Sequence, residues 1–244
     1  MIEGRLLERE VKAIILNHLI KRDLIKNNTT IINEFTIGNF SRRVDLALVN
    51  PNRLIAFEVK SEADSLSRLE GQVEKYLEYF DKVVVVGAPK HIAKILKVIP
   101  KSVAVWEVSK AGILIKQHGK IKPINNKEKF IDLMKANELL KVANRLGIPL
   151  DLKNRGSLVR ALNVVSVNKL KRAALFNIAK RFKFANSLFW GKVKSSNIMP
   201  HHIDFLSPYK EERDLLSLQE KQRTEMLDRL RLGLCGSPDL AEVV

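Results

Sequence analysis

Arg42-Arg43-Val44-Asp45-Leu46-Ala47-Leu48-Val49, then Asn50-Pro51-Asn52-Arg53, then Leu54-Ile55-Ala56-Phe57-Glu58-Val59-Lys60 is the stretch that decides how this chain is read. Two apolar runs flank four turn formers, with Pro51 where a proline pre-sets the backbone angle. The pattern predicts strands over 42–49 and 54–60, joined as an antiparallel hairpin. A two-residue loop pairs Asn50 with Arg53 and a four-residue loop pairs Val49 with Leu54. Both give one register, and carried down the hairpin it sets Asp45 opposite Glu58. Side chains at opposed positions leave on one face, with Cβ atoms about 4.5–5.5 Å apart. Two carboxylates so placed repel each other inside otherwise apolar strands. A divalent cation relieves that conflict, because Mg²⁺ prefers carboxylate oxygens and takes one or two of them with waters and phosphate. Strand alternation puts Lys60 on the face of Glu58, one step on. An ammonium there can orient a water or stabilise charge developing on a phosphate. The competing reading is a surface salt-bridge cluster.

Outward from the hairpin, apolar residues at 7, 11, 14, 15 and 19 mark a helix over 6–20, and the β-branched run 30–35 marks a strand. After the hairpin, Leu66, Leu69, Val73, Leu77 and Phe80 share one face of a helix over 64–80, with Ser61 and Asp64 as candidate caps. Four consecutive valines in 82–87 read as a strand buried on both faces. A helix over 89–98 has Pro89 in its first turn, and strands at 102–108 and 112–117 form a hairpin. The order α-β-β-β-α-β-α-β-β describes an α/β domain over 1–120. Helices are then expected at 127–146, stopped by Gly147-Ile148-Pro149, and at 157–162 and 168–184. Residues 185–208 show little period, and 211–232 reads as a polar, charge-mixed helix. The expected organisation is therefore 1–120, a smaller basic α-helical domain over 121–208, and a polar helix and tail over 209–244.

The 244 residues carry a formal charge of +16. Between Lys141 and Lys194 there are 13 basic residues and one acid, Asp151. A charge so localised gathers polyanions, and nucleic acid is the partner it implies. Arg155, Arg160, Lys169, Lys171, Arg172, Lys180 and Arg181 are the candidate backbone contacts, with little sequence preference expected. A single cysteine, Cys235, excludes an internal disulfide framework and fits a reducing compartment. No apolar run approaches the roughly 18 residues of a membrane span, and the N-terminus lacks the pattern of a secretion signal. A cytoplasmic location with no membrane partner is expected, and a homo-oligomer is left open. His201-His202 with Asp204 has no second cluster beside it to suggest a metal. Trp106 reads as core, and Gly87-Ala88-Pro89-Lys90 lacks the spacing of a phosphate-binding loop.

The acid, the hairpin and Glu58-Val59-Lys60 together resemble the PD-(D/E)XK nuclease superfamily, over roughly residues 1–110. The proline of the superfamily's name is absent, since Val44 precedes Asp45. Gln72 and Tyr76 resemble the Gln-x-x-x-Tyr element of its exonuclease-like branch. Glu34, Arg43 to Ala47, Asp64-Ser65-Leu66, Arg68-Leu69 and Gln72 together look like a little-characterised bacterial and phage branch. The resemblance implies a restriction-endonuclease-like αβββαβ core with a mixed sheet. It also implies hydrolysis of phosphodiesters, most readily in DNA, with Mg²⁺ as cofactor and Mn²⁺ as a substitute. Asp45 and Glu58 would be metal ligands, Lys60 the water-positioning lysine and Gln72 a further catalytic residue. A first-helix glutamate often joins such sites; Glu8 and Glu10 both qualify, and Glu8 points better towards the sheet. Glu34 is a further candidate ligand, and Arg43, Arg68 and Tyr76 are candidate nucleic-acid contacts. Two alternatives stay open: an inactive nucleic-acid-binding protein on the same fold, and an accessory protein that binds a partner through 211–232.

Overall fold

In the computed structural model, helix α1 (Glu8–Lys21) precedes three strands, β1 (Thr30–Ile37), β2 (Arg42–Asn50) and β3 (Arg53–Lys60). The structure describes residues 5–38, 42–150, 152, 154–193, 197–207, 223, 224 and 226. Among the first three strands each neighbouring pair is antiparallel. Helix α2 (Leu69–Leu77) then returns the chain so that β4 (Lys82–Gly87) lies parallel to β3. Helix α3 (Pro89–Val98) repeats that crossover to β5 (Ala104–Ser109), and β6 (Gly112–Gln117) turns back antiparallel. The strands stand in sequence order, β1 to β6, in one mixed sheet. The molecule is therefore an α/β protein. Its central strands read as near-continuous apolar runs because helices cover both faces.

Alternation divides the sheet residues between two cores. Leu54, Ala56, Val83, Val85 and Val105 face α2, α3 and four further helices: α4 (Lys127–Asp132), α5 (Ala136–Arg145), α6 (Arg155–Leu162) and α7 (Val167–Arg181). Phe57, Val59, Val84, Val86 and Trp106 face α1, α8 (Lys183–Val193) and the 3-10 segment Pro200–Leu206. Phe130, Leu139, Leu158 and Leu175 from the helical half bury themselves in the first of these cores. Met1–Ser207 is accordingly one compact unit, and the boundary expected at residue 120 does not separate two compact units. Pro208–Val244 is a second unit, of which 223, 224 and 226 are helical and exposed. The rest of the polar helix expected over 211–232 lies outside the described residues.

Three expectations give way to local chemistry. The helix expected from residue 64 begins at Leu69 with Arg68 at its N-cap. Asp64 does not cap it: Asp64 Oδ2 accepts from the Ser61 N–H and hydroxyl at 2.7 and 2.6 Å, closing a turn after β3. The single helix expected over 127–146 is two, α4 and α5, parted at 133–135 where Leu133 and Met134 turn into the core. The aperiodic stretch after 184 contains most of α8, whose buried set includes the amide of Asn186. That amide accepts from the Ile31 N–H and donates to the Ile31 carbonyl, at 2.8 and 2.9 Å. It thereby satisfies a peptide of the edge strand β1 that no neighbouring strand reaches.

Candidate active site

The β2–β3 register is the expected one from Asn50–Arg53 down to Leu46–Phe57, where the ladder ends. On the other side of β2, the facing positions Glu34 and Asp45 are passed over in the β1–β2 pairing. Glu34 sits at φ 60°, the left-handed region that glycine favours and glutamate seldom occupies. Each strand uses one residue there without advancing the alternation. Ile32 and Ala47 face the α2 side, and so do Phe35 and Val44, three positions along. Asp45 is thus freed from the facial pattern, and its Oδ2 accepts the Val59 N–H at 2.7 Å. The aspartate takes a backbone donor of β3 instead of forming the cross-strand pair with Glu58 that a regular hairpin would give.

Glu58 is 1% exposed, and both of its oxygens are engaged. Lys60 Nζ donates to Oε1 at 2.7 Å and also reaches Gln72 Oε1 at 3.1 Å. The Tyr76 hydroxyl lies 2.8 Å from Glu58 Oε2 and 2.9 Å from the Arg43 carbonyl oxygen, and its one proton serves one or the other. Burial first, then the charge of Glu58, raise the pKa of Tyr76 far above that of an ordinary phenol, so it remains a donor. Gln72 and Tyr76 can meet one strand because they are one turn apart on α2. Lys60 and Glu58 are held from beneath by the parallel pairing of β3 with β4, opposite Gly87 and Val85.

The electrostatic conflict falls on Asp45. Its carboxyl is pushed from 3.8 up to about 7, by burial first and by Glu58 second. The Val59 N–H opposes the shift, Glu8 adds to it, and Lys12 opposes it. A carboxyl whose ionisation is opposed by burial and by a neighbouring carboxylate marks a place where a cation would be welcome. Among the described residues no group of three or more His, Cys, Asp or Glu is gathered to hold a metal. Two carboxylates, Asp45 and Glu58, are the donors that a hard cation would take, with water and phosphate completing its shell. They do not make a closed, all-protein cage.

The remaining candidates separate by position. Glu10 accepts the Leu7 N–H at 2.6 Å and so closes the start of α1, whereas Glu8, itself exposed, pairs with Lys12 Nζ at 2.5 Å. Lys12, 2% exposed and also bonded to Asn33 Oδ1 at 2.7 Å, is a buried cation beside the site that reading for periodicity missed. Glu34 is paired outward with Arg43 at 3.2 Å and is not among the groups that act on Asp45. Tyr76 is fully buried, so it holds Glu58 and does not offer a surface to nucleic acid. Arg68 is exposed at the start of α2. Among the basic residues, Lys171 is bonded to buried Asp81 at 2.6 Å, and Arg181 to Glu138 at 2.6 Å. Arg155 holds the Met134 carbonyl and Asp132, and Arg160 holds Ser157. Lys169, Arg172 and Lys180 instead line one open hollow with Lys141 and Arg145. His202 accepts the Met199 N–H and Asp204 pairs with Arg9, which accounts for the histidine–aspartate segment without a metal.

The profile of the family described as Bacteriophage P4 protein cII matches residues 1–207. Protein cII of Enterobacteria phage P4 is 31% identical over 241 residues, covering 96% of this chain and 86% of that protein. The solved SPO1766 protein of unknown function from Silicibacter pomeroyi is 18% identical, with a TM-score of 0.40 over 58% of this chain and 90% of the other. No helix among the described residues is long and apolar enough to cross a membrane.

Proposed function

The chain belongs to the bacteriophage P4 protein cII family, and we propose that it is a metal-dependent nuclease of PD-(D/E)XK type that hydrolyses phosphodiester bonds, most readily in DNA. The observation that carries this reading is half-buried Asp45 beside buried Glu58, with Lys60 bonded to Glu58 and the Asp45 carboxyl pushed up to about 7 by burial and by Glu58. A structural salt bridge accounts for Lys60 and Glu58, but it does not account for a second carboxyl, Asp45, held beside them against burial and the charge of Glu58. Further support is the element order α1-β1-β2-β3-α2-β4, with β1 to β3 antiparallel and β4 parallel to β3. That order supports the restriction-endonuclease-like core that the motif resemblance implies.

Asp45 and Glu58 would hold a Mg²⁺ or Mn²⁺ ion, which would supply Lewis acidity for an attacking water and neutralise charge on the phosphate. Glu58 is fixed for that task by Tyr76 and Lys60, so its carboxylate does not reorient during reaction. Lys60 is steadied by Gln72 and holds the water or a phosphate oxygen through its third proton. Water oxygen forms one P–O bond, the bridging P–O ester bond breaks, and the departing alkoxide takes up a proton. The products are a phosphate monoester and an alcohol.

The test is cleavage of linear, circular and single-stranded DNA with Mg²⁺ or Mn²⁺, by wild type, Glu58→Gln and Lys60→Met. The expected result is metal-dependent cutting that falls at least about 100-fold in each variant, with the circular substrate separating internal from terminal cleavage. Wild-type protein that binds DNA and never cuts, with unchanged binding in both variants, would overturn the assignment.

A further inference from the structure

The cations of the helical half divide into two sets. Lys171, Arg155 and Arg181 are committed to Asp81, Asp132 and Glu138. Lys169, Arg172 and Lys180 recur at three- and eight-residue spacing along one face of α7, with Lys141 and Arg145 from α5 beside them. Together they line a hollow of about 440 Å³ that contains no acidic residue. Among the described residues none of these five forms an ion pair with a carboxylate. A folded protein gains nothing from five like charges converging on an open hollow, and their mutual repulsion costs stability. An anion is the missing counterpart.

Phe176 lies in the same wall, one turn from Arg172 and one turn from Lys180, and is 55% exposed. The Arg145 guanidinium stands 5.8 Å from its ring centre. A second hollow of about 730 Å³ shares Phe176 and Lys180 with the first, and adds Lys183 and Trp190 of α8 and the segment Asn27–Thr30. It too contains no acid. The two hollows therefore form one concave track, cationic along its length, with a phenyl ring standing at the join. Double-stranded nucleic acid offers such a track only phosphates, and its base faces are stacked out of reach. Single strands expose those faces, and aromatic residues between cations are how they are held.

We infer that the groove between α5, α7 and α8 binds single-stranded nucleic acid, with its phosphates on the α5 and α7 cations and a base stacked on Phe176. The groove is separate from the carboxylate cluster. Thr30 lies four residues along β1 from Glu34, the position abreast of Asp45, which is roughly 13 Å of strand. Its occupancy does not depend on whether the cluster cuts.

Binding of a fluorescent 20-nucleotide oligothymidine and of a duplex of equal length is measured by anisotropy, using the full chain in EDTA. Wild type is expected to bind the single strand more tightly. Phe176→Leu keeps apolar bulk and removes the π-face, and is expected to weaken single-strand binding about ten-fold while duplex binding holds. Phe176→Trp is expected to retain it. Arg172→Ala with Lys180→Ala is expected to weaken binding and to reduce the slope of log affinity against log salt by about 1.4. Lys90→Ala with Lys94→Ala removes the same charge from the exposed face of α3 and controls for net charge. Thermal melts show that each variant is folded. Tighter binding of the duplex, no loss in Phe176→Leu, or an equal loss in the α3 control would each overturn the proposal. Equal displacement of the oligonucleotide by polyglutamate and by unlabelled oligothymidine would do the same, and would reassign the groove to an acidic polypeptide.

Discussion

Asp45 concentrates the physical tension of the molecule in one side chain. Unfolded, it loses its proton near 3.8; folded, near 7, with burial and Glu58 as the causes. Between those values the folded state holds a proton that the unfolded state has released. The contribution of this group to stability therefore falls as pH rises through that window, and the penalty is complete above about 7. Its size is up to about 4 kcal/mol. Asp45→Asn keeps an acceptor for the Val59 N–H and removes the charge. Relative to wild type without divalent metal, the variant should be nearly unchanged at pH 4 and more stable by a few kcal/mol at pH 8, as read by urea unfolding. A difference that does not vary with pH would mean that Asp45 ionises normally. Mg²⁺ adds a second readout, since a cation that needs both carboxylates ionised competes with the proton. It should raise the melting temperature of wild type more at pH 8 than at pH 5.5, and should do so little in Asp45→Asn.

Asp81 acts at the scale of elements. From the turn between α2 and β4, its carboxylate accepts the Leu54 N–H at 2.9 Å, the Ile124 N–H at 3.0 Å and Lys171 Nζ at 2.6 Å. One buried anion thus ties the start of β3, the segment after β6 and α7 together. Asp81→Ala should cost about 3–5 kcal/mol, because it strands a half-buried lysine and two peptide donors together. Lys171→Met should cost less, since two donors remain on the carboxylate; chemical denaturation ranks the two, and an equal cost would deny Asp81 its hub role. Sequence reading could not see this hub, because its partners come from positions 54, 124 and 171. It did find β4, α3 and β6 to the residue, because valine runs, a first-turn proline and turn glycines are local signals. Lys12 was hidden for the opposite reason: a helical stripe analysis counts a lysine as solvent-facing, and only the register that brings Asn33 to it makes it buried. The break at Glu34 and Asp45 carries no glycine, asparagine or proline to announce it. The candidate residues were therefore legible from their types and spacing, and the geometry that joins them was not.

For the whole molecule, the question is where one folding unit ends. The change of composition near residue 120 suggested two domains, yet the core on the α2 side of the sheet is completed by α4 to α7. Phe35 of β1 meets Phe182 at 6.1 Å, ring edge to ring face, and Asp81 draws its bonds to Ile124 and Lys171 from beyond the expected boundary. A fragment of residues 1–120 would expose that apolar face and leave the Asp81 carboxylate with one of its three partners. Exposed strand faces of that kind associate instead of folding alone. We therefore expect residues 1–207 to unfold in a single cooperative transition, with near-UV dichroism and fluorescence coincident. The fragment 1–120 should show no cooperative melt and should aggregate. A soluble 1–120 fragment with its own sharp transition would restore the two-domain reading, and would make the helical half an attachment to a self-sufficient sheet. If one transition is observed, the cationic groove and the carboxylate cluster belong to one rigid framework. A change in the groove would then reach the cluster through shared packing and not through a linker.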